Sequence, residues 1–370
     1  MLRLVRVVIA PDCFGGTLTA AEAASAIADG WRRGAPDHDL VLRPLADGGP
    51  GFVEVLHTAL GGTLRTETVT GPLGEPVTAT WLSHDDIAYI ESAEACGLHL
   101  VPKDRRPLVC ETVTTRGVGE LLAAARGHRR AVIGLGGSAT TDGGAGMLAA
   151  LGAVAVAEDG TPLPPGGTAL ARCARIDGGV DGLPEIIAAT DVTNPLLGQH
   201  GAAATFGPQK GADPAAVERL EAGLARWADV LAAWREPVAD EDGAGAAGGL
   251  GAAILALGGA RASGAGLVRS ATGLDAAVAG AGLVITGEGS LDWQSLRGKL
   301  VTGVAEAAAE RGVPCLALAG QASVGRTRAA AVGISEVHAV AEHAGSVAAA
   351  MADPAGTLAD LAEHVARQWR

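Results

Sequence analysis

Short apolar runs alternate with stretches of helical periodicity through the first part of the chain. Residues 5–10 form a near-continuous apolar run, which predicts a buried parallel strand. A capping-box pattern at residues 19–22 opens a predicted helix, residues 40–45 return as a second strand, and residues 52–60 have a helical pattern. This order of strand, helix, strand and helix predicts a parallel sheet with right-handed crossovers.

The pattern changes after this start and returns near the C-terminus. Residues 66–82 alternate around a Gly-Pro-Leu-Gly turn, which predicts an antiparallel hairpin. Residues 283–286 form another apolar strand, and the segments after it are similar in style to the N-terminal part. At 370 residues the chain exceeds the usual size of one hydrophobic core. We therefore predict an α/β fold in which residues 1–72 and 286–370 form a discontinuous domain and residues 73–285 form an inserted second α/β domain.

A glycine-rich stretch, IGLGGSATTDGGAG at residues 133–146, lies between an apolar run and a helix-like run. The order of strand, glycine-rich turn and helix start lets backbone N–H groups converge on an anion. Glycine also allows a ligand to approach the backbone closely. We therefore expect the backbone of Gly136, Gly137 and Ser138 to cradle phosphate. The alternative is a tight turn in a chain with 55 glycines, where such patterns arise by chance more easily.

Acidic residues follow several predicted strands. Asp12, Asp47, Asp191 and Glu288 share this position, glycine directly adjoins Asp47 and Glu288, and Asp142 and Asp292 lie in or near similar turns. A single aspartate at a strand end is more often a turn former than a catalyst. Several of them at the ligand-binding edge of a parallel sheet favour a site. Carboxylates there can hold Mg²⁺ or accept the proton of an attacking hydroxyl group.

Composition excludes several classes of protein. The formal net charge is −13 and no basic block is present, which excludes a nucleic-acid-binding surface. The 5 cysteines have no paired spacing, so the sequence indicates neither a disulfide framework nor a zinc site. The apolar N-terminal run is too short for a signal peptide, and no segment has the density of a membrane span. We predict a cytoplasmic protein without nucleic-acid or membrane partners.

Two lysines lie beside glycines: Lys210 in FGPQKG at residues 206–211 and Lys299 in RGK at residues 297–299. Both are candidate anchors for a phosphate or carboxylate group, and the alternative is that they are solvated surface lysines. Lys299 is not part of a Walker A motif, because the upstream glycine is missing and Leu300 follows where Ser or Thr is required. A phosphotransferase with this sequence is therefore not a P-loop enzyme.

A series of motifs along nearly the whole chain resembles one family, the bacterial type of glycerate kinase. The motifs occur in the order of that family, which makes the resemblance far more specific than a single glycine loop. They are VVIAPDCFGGTL (7–18), PLADGGPG (44–51), IESAEACGL (90–98), TTRGVGELL (114–122), IGLGGSATTDGGAGML (133–148), ATDVTNPLLG (189–198), FGPQKGA (206–212), GAGAAGGLGAA (243–253) and LVITGEGSLDWQSLRGK (283–299).

The resemblance implies a reaction and a fold. The family phosphorylates D-glycerate with ATP and Mg²⁺, usually at the 2-hydroxyl group. Its fold is a discontinuous Rossmann- or flavodoxin-like domain with an inserted second α/β domain, and its active site is expected in the cleft between the domains. The partners implied for this chain are therefore D-glycerate and nucleotide, and we expect a monomer or homodimer.

The resemblance also implies roles for the candidate residues. Asp191 would orient the substrate hydroxyl or bind the metal, with Asn194 beside it, and Glu288 is the second candidate metal ligand. Asp12 and Asp47 would face them from the other domain. The catalytic candidates are thus Asp191, Asp47, Asp12 and Glu288, and the candidates for binding ATP are Gly136, Gly137, Ser138, Asn194, Lys210, Asp292 and Lys299.

This chain differs from the usual family pattern at positions close to the motifs. Gly15 stands where the family usually has lysine, Pro50 where it has glutamate, and Ser290 where it has arginine. The first and third changes remove positive charges that could serve an anionic substrate or the transferred phosphoryl group. Three alternatives therefore stay open: a kinase of another small hydroxy acid, phosphorylation of the 3-hydroxyl of glycerate, and a non-catalytic relative that binds nucleotide or a metabolite.

Overall fold

The computed structural model describes residues 5–293, 295–296 and 300–369. It confirms the predicted α/β class, with strands and helices that alternate along most of the chain. The strands are β1 (Arg6–Ile9), β2 (Asp39–Leu42), β3 (Thr63–Thr70), β4 (Pro76–His84), β5 (Ile87–Glu91), β6 (Arg130–Gly134), β7 (Ala153–Val156), β8 (Arg175–Gly178), β9 (Glu185–Ala189), β10 (Ala260–Ala262), β11 (Leu283–Leu291), β12 (Cys315–Ala322) and β13 (Glu336–Ala339).

The helices range from single turns to one long amphipathic helix, α8. They are α1 (Ala20–Gly34), α2 (Phe52–Leu60), α3 (Ser92–Cys96), α4 (Arg106–Val109), α5 (Arg116–Ala124), α6 (Ala145–Leu151), α7 (Ala202–Phe206), α8 (Pro214–Trp234), α9 (Ala246–Ala256), α10 (Gly264–Ala271), α11 (Leu274–Ala279), α12 (Leu300–Ala309), α13 (Arg326–Ala331), α14 (Val340–His343), α15 (Val347–Ala352) and α16 (Pro354–Ala366). Among the residues described, no helix has both the length and the apolar character needed to span a membrane.

The first sheet is parallel and has five strands in the order β13-β12-β11-β1-β2. Val8 in β1 pairs with Val284 in β11 on one side and with Val41 in β2 on the other. Counted along the chain, this is the flavodoxin-like order 2-1-3-4-5, which reverses direction between its first and third strands. That reversal lies between β1 and β11, so the loops after these two strands mark the expected ligand-binding edge.

The second sheet is mixed and has six strands in the order β10-β9-β6-β5-β4-β3. Strands β10, β9, β6 and β5 are parallel, whereas β3 and β4 form the predicted antiparallel hairpin. Strands β7 and β8 form a small separate sheet. The parallel part places the ends of β6 and β9 side by side, because Gly134 pairs with Ala189.

The chain divides into two compact units. Unit 1 consists of Met1–Asp47, Glu54–Leu60 and Ala265–Arg370, and unit 2 of Gly48–Val53 and Gly61–Gly264. Unit 1 contains the five-stranded sheet, and unit 2 contains the six-stranded sheet and the small sheet.

The domain boundaries predicted from sequence differ from the limits of these units. The boundary after residue 72 falls in the turn between β3 and β4, which pair from Thr63 with Ser83 to Thr70 with Pro76 and therefore stay together in unit 2. The boundary after residue 285 falls inside β11, which is one continuous strand. The first predicted boundary lies in a hairpin and the second lies in a strand. A domain boundary at either place would separate residues that are paired by hydrogen bonds.

Each unit has an aliphatic core with a few buried tryptophans. In unit 1, α1 packs against α16, and Ile27 and Trp31 are fully buried between helix and sheet. In unit 2, Trp81 and Trp227 are buried in the core. Helix α1 begins at the predicted capping box, in which Thr19 Oγ1 accepts the Glu22 N–H at 3.2 Å and Glu22 Oε2 accepts the Thr19 N–H at 2.9 Å.

Candidate functional site

The loop that follows β1 and the C-terminal part of β11, which extends to Leu291 and therefore includes Glu288, line a cavity of about 600 Å³ in unit 1. Asp12, Glu288 and Asp292 lie along it, and these are the residues expected at the ligand-binding edge of the parallel sheet. The N–H of Asp12 donates to the carbonyl oxygen of Gly287 at 2.8 Å, and this hydrogen bond joins the loop after β1 to β11. We call this space the acidic cavity.

Carboxyl groups of the acidic cavity influence one another. Burial raises the pKa of Asp12 to about 7, and the negative charges of Asp47 and Glu288 contribute to the rise. The N–H of Cys13 donates to Asp12 Oδ1 at 2.7 Å, which favours the ionised form and opposes the rise. The structure therefore brings together Asp12, Asp47 and Glu288, three residues that were singled out from separate parts of the sequence.

Glycines on both sides of Glu288 allow its strand to approach its neighbours closely. A Cβ atom on Gly287 would lie 2.0 Å from the carbonyl oxygen of Leu318. A Cβ atom on Gly289 would lie 3.0 Å from the nitrogen of Gly15 and 3.1 Å from the carbonyl carbon of Phe14. The Gly-Glu-Gly sequence is thus required by packing, and it holds Glu288 against the loop that carries Asp12.

Asp292 is fixed by a turn with Ser295. The N–H of Asp292 donates to Ser295 Oγ at 3.1 Å, and the N–H of Ser295 donates to Asp292 Oδ1 at 3.2 Å. The candidate Lys299 lies outside the described residues, so its predicted role stays a prediction.

The opposite wall of the acidic cavity is apolar. It comes from α14, α15 and α16 and includes Val340, Val347, Met351 and Leu358. No lysine or arginine is present among the described residues that line the cavity. The cavity therefore combines an apolar surface with negative charge.

The glycine-rich loop lies in unit 2 between β6 and α6. Gly136 is so close to Gly49 that a Cβ atom would lie 2.4 Å from the Gly49 Cα. Gly137 has a φ of +65°, a left-handed conformation that favours glycine. Within the part of the chain that the structure describes, the N–H groups of Gly136, Gly137 and Ser138 donate no hydrogen bond. They are the donors that the sequence predicted for a phosphate cradle.

Lys210 supports this loop from the protein interior. Its side chain is buried, and its Nζ donates to the carbonyl oxygen of Thr140 at 2.6 Å and to Ser138 Oγ at 3.1 Å. Burial lowers the pKa of Lys210 to about 8. The glycine beside it is also structural, because Gly211 has a φ of +101°. The alternative of a solvated surface lysine is therefore wrong, and the predicted role of Lys210 as a phosphate or carboxylate anchor stays a prediction.

Asp142, a buried aspartate of the glycine-rich stretch, holds the next turn of the loop. Asp142 Oδ2 accepts the N–H and the hydroxyl of Thr115, both at 2.9 Å, and the N–H of Gly146 at 3.2 Å. Its Oδ1 accepts the N–H of Gly144 at 3.1 Å. Burial raises the pKa of Asp142. This residue fixes the start of α6 and is closed to a ligand.

The loop after β9 carries the other two candidates of unit 2. Ser263 Oγ donates to Asp191 Oδ1 at 2.6 Å, which fixes the orientation of that carboxylate. Asn194 Nδ2 donates to the carbonyl oxygen of His200 at 2.7 Å, and the Asn194 carbonyl accepts the N–H of Gly245 at 2.9 Å. Asn194 therefore stabilises the loop. Asp191 is the residue of the two whose carboxylate is oriented by a neighbouring hydroxyl group.

Comparison with known proteins identifies the family. The model of the glycerate kinase family matches residues 7–370. The chain belongs to the glycerate kinase family. It is 45% identical over 332 residues to a protein named glycerate kinase from Bacillus subtilis (strain 168), with 86% of each chain covered. It is also 45% identical over 329 residues to glycerate 2-kinase of Escherichia coli (strain K12), with 85% of each covered.

A solved structure supports the same family assignment. The crystal structure of a protein assigned as glycerate kinase 2 from Salmonella typhimurium LT2 matches with a TM-score of 0.79 and 40% identity, covering 99% of this chain and 98% of the other. The glycerate kinase family, the enzyme class and the fold class inferred from the sequence motifs are thereby confirmed.

The positions where this glycerate kinase family member differs from the usual pattern are not scattered. Gly15 and Ser290 both line the acidic cavity, so the two missing positive charges belong to one place. Pro50 lies against the glycine-rich loop, because its ring carbons would be 2.8 Å from a Cβ atom on Gly137. In the described parts of the chain, no group of three His, Cys, Asp or Glu side chains is arranged to hold a metal ion.

Glu91 is a site-like residue that sequence reasoning missed. It ends β5 and is buried, and its Oε2 accepts the N–H of Gly51 at 3.0 Å and that of Val53 at 3.4 Å. Burial and the charge of Glu94 raise the pKa of Glu91 to about 8. The signal was available, since Glu91 follows an apolar strand as Asp12 does. The residues that follow it, Ser92–Cys96, contain no glycine and form α3.

Proposed function

We propose that this chain transfers the γ-phosphoryl group of ATP to the 2-hydroxyl of D-glycerate with the help of Mg²⁺. The observation that carries the proposal is the pair of carboxyls of Asp12 and Glu288, which line one cavity at the carboxyl ends of β1 and β11 in a member of the glycerate kinase family. The raised pKa of Asp12 is what carboxyl groups without a nearby cation show.

The donor set suits Mg²⁺, which prefers carboxylate oxygens together with phosphate oxygens. Asp12 and Glu288, which line the same cavity, would hold it together with phosphate oxygens, and Asp191, the other predicted ligand, is assigned to the hydroxyl group instead. Bound Mg²⁺ neutralises phosphate charge and so eases phosphoryl transfer. Ionisation of Asp12 is needed for this role, because a protonated carboxyl is a poor metal ligand.

The glycine-rich loop would bind the phosphate groups. The N–H groups of Gly136, Gly137 and Ser138 are available as donors, and the buried ammonium of Lys210 adds a positive charge beneath them. Such donors stabilise charge that develops in the transition state because they are fixed before the reaction. Lys210 contributes by holding Ser138 and Thr140 in place.

Asp191 would orient the acceptor hydroxyl. Its Oδ1 accepts a hydrogen bond from the Ser263 hydroxyl, and this fixes the orientation of the carboxylate toward the hydroxyl group of the acceptor. In the transfer, the hydroxyl oxygen forms a bond to the γ-phosphorus, the bond from that phosphorus to the bridging oxygen breaks, and ADP leaves with the electron pair. The hydroxyl proton passes to the carboxylate of Asp191. The predictions of a cytoplasmic location and of a monomer or homodimer stay predictions.

The test is a coupled assay of ADP release with Mg-ATP, run with D-glycerate, with L-glycerate and without acceptor. We expect turnover that depends on D-glycerate, and NMR of the product is expected to show the 2-phosphate. Absence of turnover with either enantiomer, in protein shown to be folded, would contradict the proposal. Appearance of the 3-phosphate would correct the position of transfer and leave the acceptor in place.

Two variants separate the proposed role of Asp191 from general effects. Asp191→Asn keeps the shape and the contact to Ser263 but removes the proton acceptor, so we expect kcat to fall by about 100-fold or more. Asp181→Asn changes an exposed aspartate of the same unit and is expected to leave kcat unchanged. Equal turnover of Asp191→Asn and the unmodified protein would exclude the role.

A kinase of another small hydroxy acid is the second candidate. It is favoured by Gly15 and Ser290, which replace the lysine and arginine usual in the family and so change the shape of the acidic cavity's lining. The same assay with a panel of hydroxy acids decides between the two. A kcat/KM for another acid at least tenfold above that for D-glycerate would favour this second function.

A further inference from the structure

Strand β3 forms one edge of the six-stranded sheet and is the longest edge strand that the structure describes. It has 8 residues, Thr63–Thr70, and the first six of them are exposed. The strands at the other edges of the two larger sheets, β10, β2 and β13, have 3, 4 and 4 residues. A short edge strand protects a sheet from pairing with another chain, whereas a long exposed edge is a template for such pairing.

The backbone of β3 has hydrogen-bonding groups that point away from β4. The N–H of Thr70 donates to Glu120 Oε2 of α5 at 2.7 Å and therefore points away from β4. Because the backbone groups of successive residues point to opposite sides of a strand, those of Thr68, Thr66 and Leu64 point away from β4 as well. These residues supply a row of donors and acceptors with which an antiparallel strand can pair.

Two opposite charges lie on one face of this edge. Arg65 and Glu67 share a face because residues two apart in a strand point to the same side. The Arg65 guanidinium carbon lies 5.7 Å from the centre of the Trp81 ring, which supports the side chain from the neighbouring strand. Within the described part of the chain, neither Arg65 nor Glu67 forms an ion pair. Both charges are therefore available to a strand that pairs with β3.

The register of a pair of β3 strands decides which charges meet. In an antiparallel pair centred on Thr66, Arg65 of each copy lies opposite Glu67 of the other. A pair centred on Arg65 places two arginines opposite each other, and a pair centred on Glu67 does so with two glutamates. A pair centred on Leu64 or Thr68 leaves both charges opposite uncharged residues. Attraction and repulsion therefore favour the register centred on Thr66.

The geometry of β3 is compatible with that register. Arg65 and Glu67 then form non-hydrogen-bonded pairs, in which the side chains of two antiparallel strands lie closest. The same register places Gly62 of one copy opposite Thr70 of the other, at the end of β3 where Glu120 of α5 contacts the strand. Glycine brings no side chain to this position, so α5 does not obstruct the pairing.

We propose that the edge of β3 binds a second copy of this chain, with two β3 strands paired antiparallel around Thr66 and Arg65 of each copy opposite Glu67 of the other. The pairing joins the six-stranded sheets of the two copies. It uses no residue assigned to the reaction, so it goes beyond the proposed function and does not depend on it. Because one strand pair is smaller than a standard protein interface, we expect the dimer to exchange with the monomer.

Sedimentation velocity over about a hundredfold range of protein concentration measures the dissociation constant of the dimer. Arg65→Glu places like charges opposite each other at both contacts, and Glu67→Arg does the same with the opposite sign. We expect either variant to raise the dissociation constant by about tenfold or more. Arg126→Glu is the matched control, because Arg126 is an exposed arginine of unit 2 outside β3, and it should leave the constant unchanged.

A mixture of the two charge-reversed variants makes the test specific for the register. When Arg65→Glu pairs with Glu67→Arg, opposite charges face each other again at both contacts. We therefore expect the mixture to form heterodimers with a dissociation constant within about threefold of that of the unmodified protein. Energy transfer between fluorophores on the two variants measures it. A mixture that associates no better than either variant alone would overturn the register.

Thr66→Pro tests the backbone contribution. It removes the central outward N–H, which β4 does not use, and proline is tolerated at such positions of edge strands. We expect the variant to be folded, as circular dichroism and Tm would show, and to be monomeric. A dimer of unchanged strength in Thr66→Pro and Arg65→Glu would show that another surface is used and would overturn the proposal.

The outcomes for the dimer and for the proposed function are measured separately. Unmodified protein that is monomeric at every concentration overturns the β3 pairing and leaves this edge to a strand of another protein. We expect the ADP-release assay to give the same kcat for Thr66→Pro as for the unmodified protein. Absence of turnover in a protein that forms the charge-dependent dimer contradicts the kinase function and supports the pairing.

Discussion

The glycine-rich loop of unit 2 and the acidic cavity of unit 1 both follow parallel strands, yet they have opposite chemistry. The loop presents N–H groups of Gly136, Gly137 and Ser138 and has the buried ammonium of Lys210 beneath it. The cavity presents carboxyl groups of Asp12, Glu288 and Asp292 beside an apolar wall, with no described lysine or arginine in its lining.

This difference shows that a fold position alone does not decide what binds there. The carboxyl end of a parallel strand is a ligand-binding edge in both units. In unit 2, glycines expose backbone donors and favour anions. In unit 1, the residues after the strands are acidic, so a cation or a neutral hydrogen-bond donor is favoured. The charge of the loop residues therefore decides the class of ligand.

The largest effect is expected from substitution of Asp12, whose pKa burial raises to about 7. In Asp12→Asn the amide is a much weaker metal ligand than a carboxylate, so we expect kcat/KM for Mg-ATP to fall by about 100-fold or more. Steady-state kinetics over a range of Mg²⁺ concentrations measure it. The exposed Asp37 of the same unit supplies the control, since Asp37→Asn is expected to keep full activity. A fall of less than threefold in Asp12→Asn would contradict a metal-binding role.

The matching change in unit 2 removes the buried charge. Lys210→Met keeps the length of the side chain but leaves the Thr140 carbonyl without its donor, so we expect the free energy of unfolding to fall by about 2 kcal/mol. The KM for ATP should rise by about tenfold because the loop loses its support. Urea denaturation and steady-state kinetics measure the two effects. The exposed Lys103 gives the control variant Lys103→Met, for which both values should stay constant. An equally stable Lys210→Met would exclude the supporting role.

Much of this comparison could be predicted from the sequence. Apolar runs located β1 and the first part of β11, and the positions of Asp12 and Glu288 after these runs indicated a ligand-binding edge. The same reasoning located the loop at Gly136 and Gly137. Local patterns carry this information because strand ends and turns are local features of the chain.

The rest depends on contacts between distant parts of the chain. Strand β1 pairs with β11, and only this pairing brings Asp12 and Glu288 together. The burial of Lys210 results from packing against Ser138 and Thr140, which no local pattern around Lys210 contains. Tertiary packing therefore decides which candidates line the cavity and which hold the loop.

A smaller effect is expected from a backbone change in the loop. Gly137→Ala introduces a Cβ atom at a φ of +65° and within 2.8 Å of the Pro50 ring, so we expect the free energy of unfolding to fall by about 1–2 kcal/mol. Thermal denaturation measures the loss as a fall in Tm. Gly127→Ala is the matched control, because nothing lies within 4 Å of an added Cβ atom there. A Gly137→Ala protein as stable as the control would show that the loop relaxes around the new methyl group.

The smallest effect is a shift in pH dependence. Burial and the charge of Asp47 raise the pKa of Asp12 from 3.8 to about 7, so kcat/KM should rise with pH through about 7 as Asp12 ionises. Asp47→Asn removes one of the charges, and we expect this rise to move to lower pH. The pH profile of kcat/KM measures the shift, and Asp37→Asn should show none. An unshifted profile in Asp47→Asn would mean that another group sets the rise.

The same shift has a consequence for stability with a definite sign. The Asp12 carboxyl binds its proton more tightly in the folded chain than in the unfolded one, so the free energy of unfolding decreases as the pH rises from about 4 to about 7. Asp47→Asn lowers the pKa of Asp12 and reduces that decrease. At pH 8 the variant should therefore unfold at a Tm about 2 °C above that of the unmodified protein, while its activity is less than tenfold lower. The carboxylates of the acidic cavity would then favour cation binding but reduce the stability of the folded chain. The glycine-rich loop does not reduce that stability.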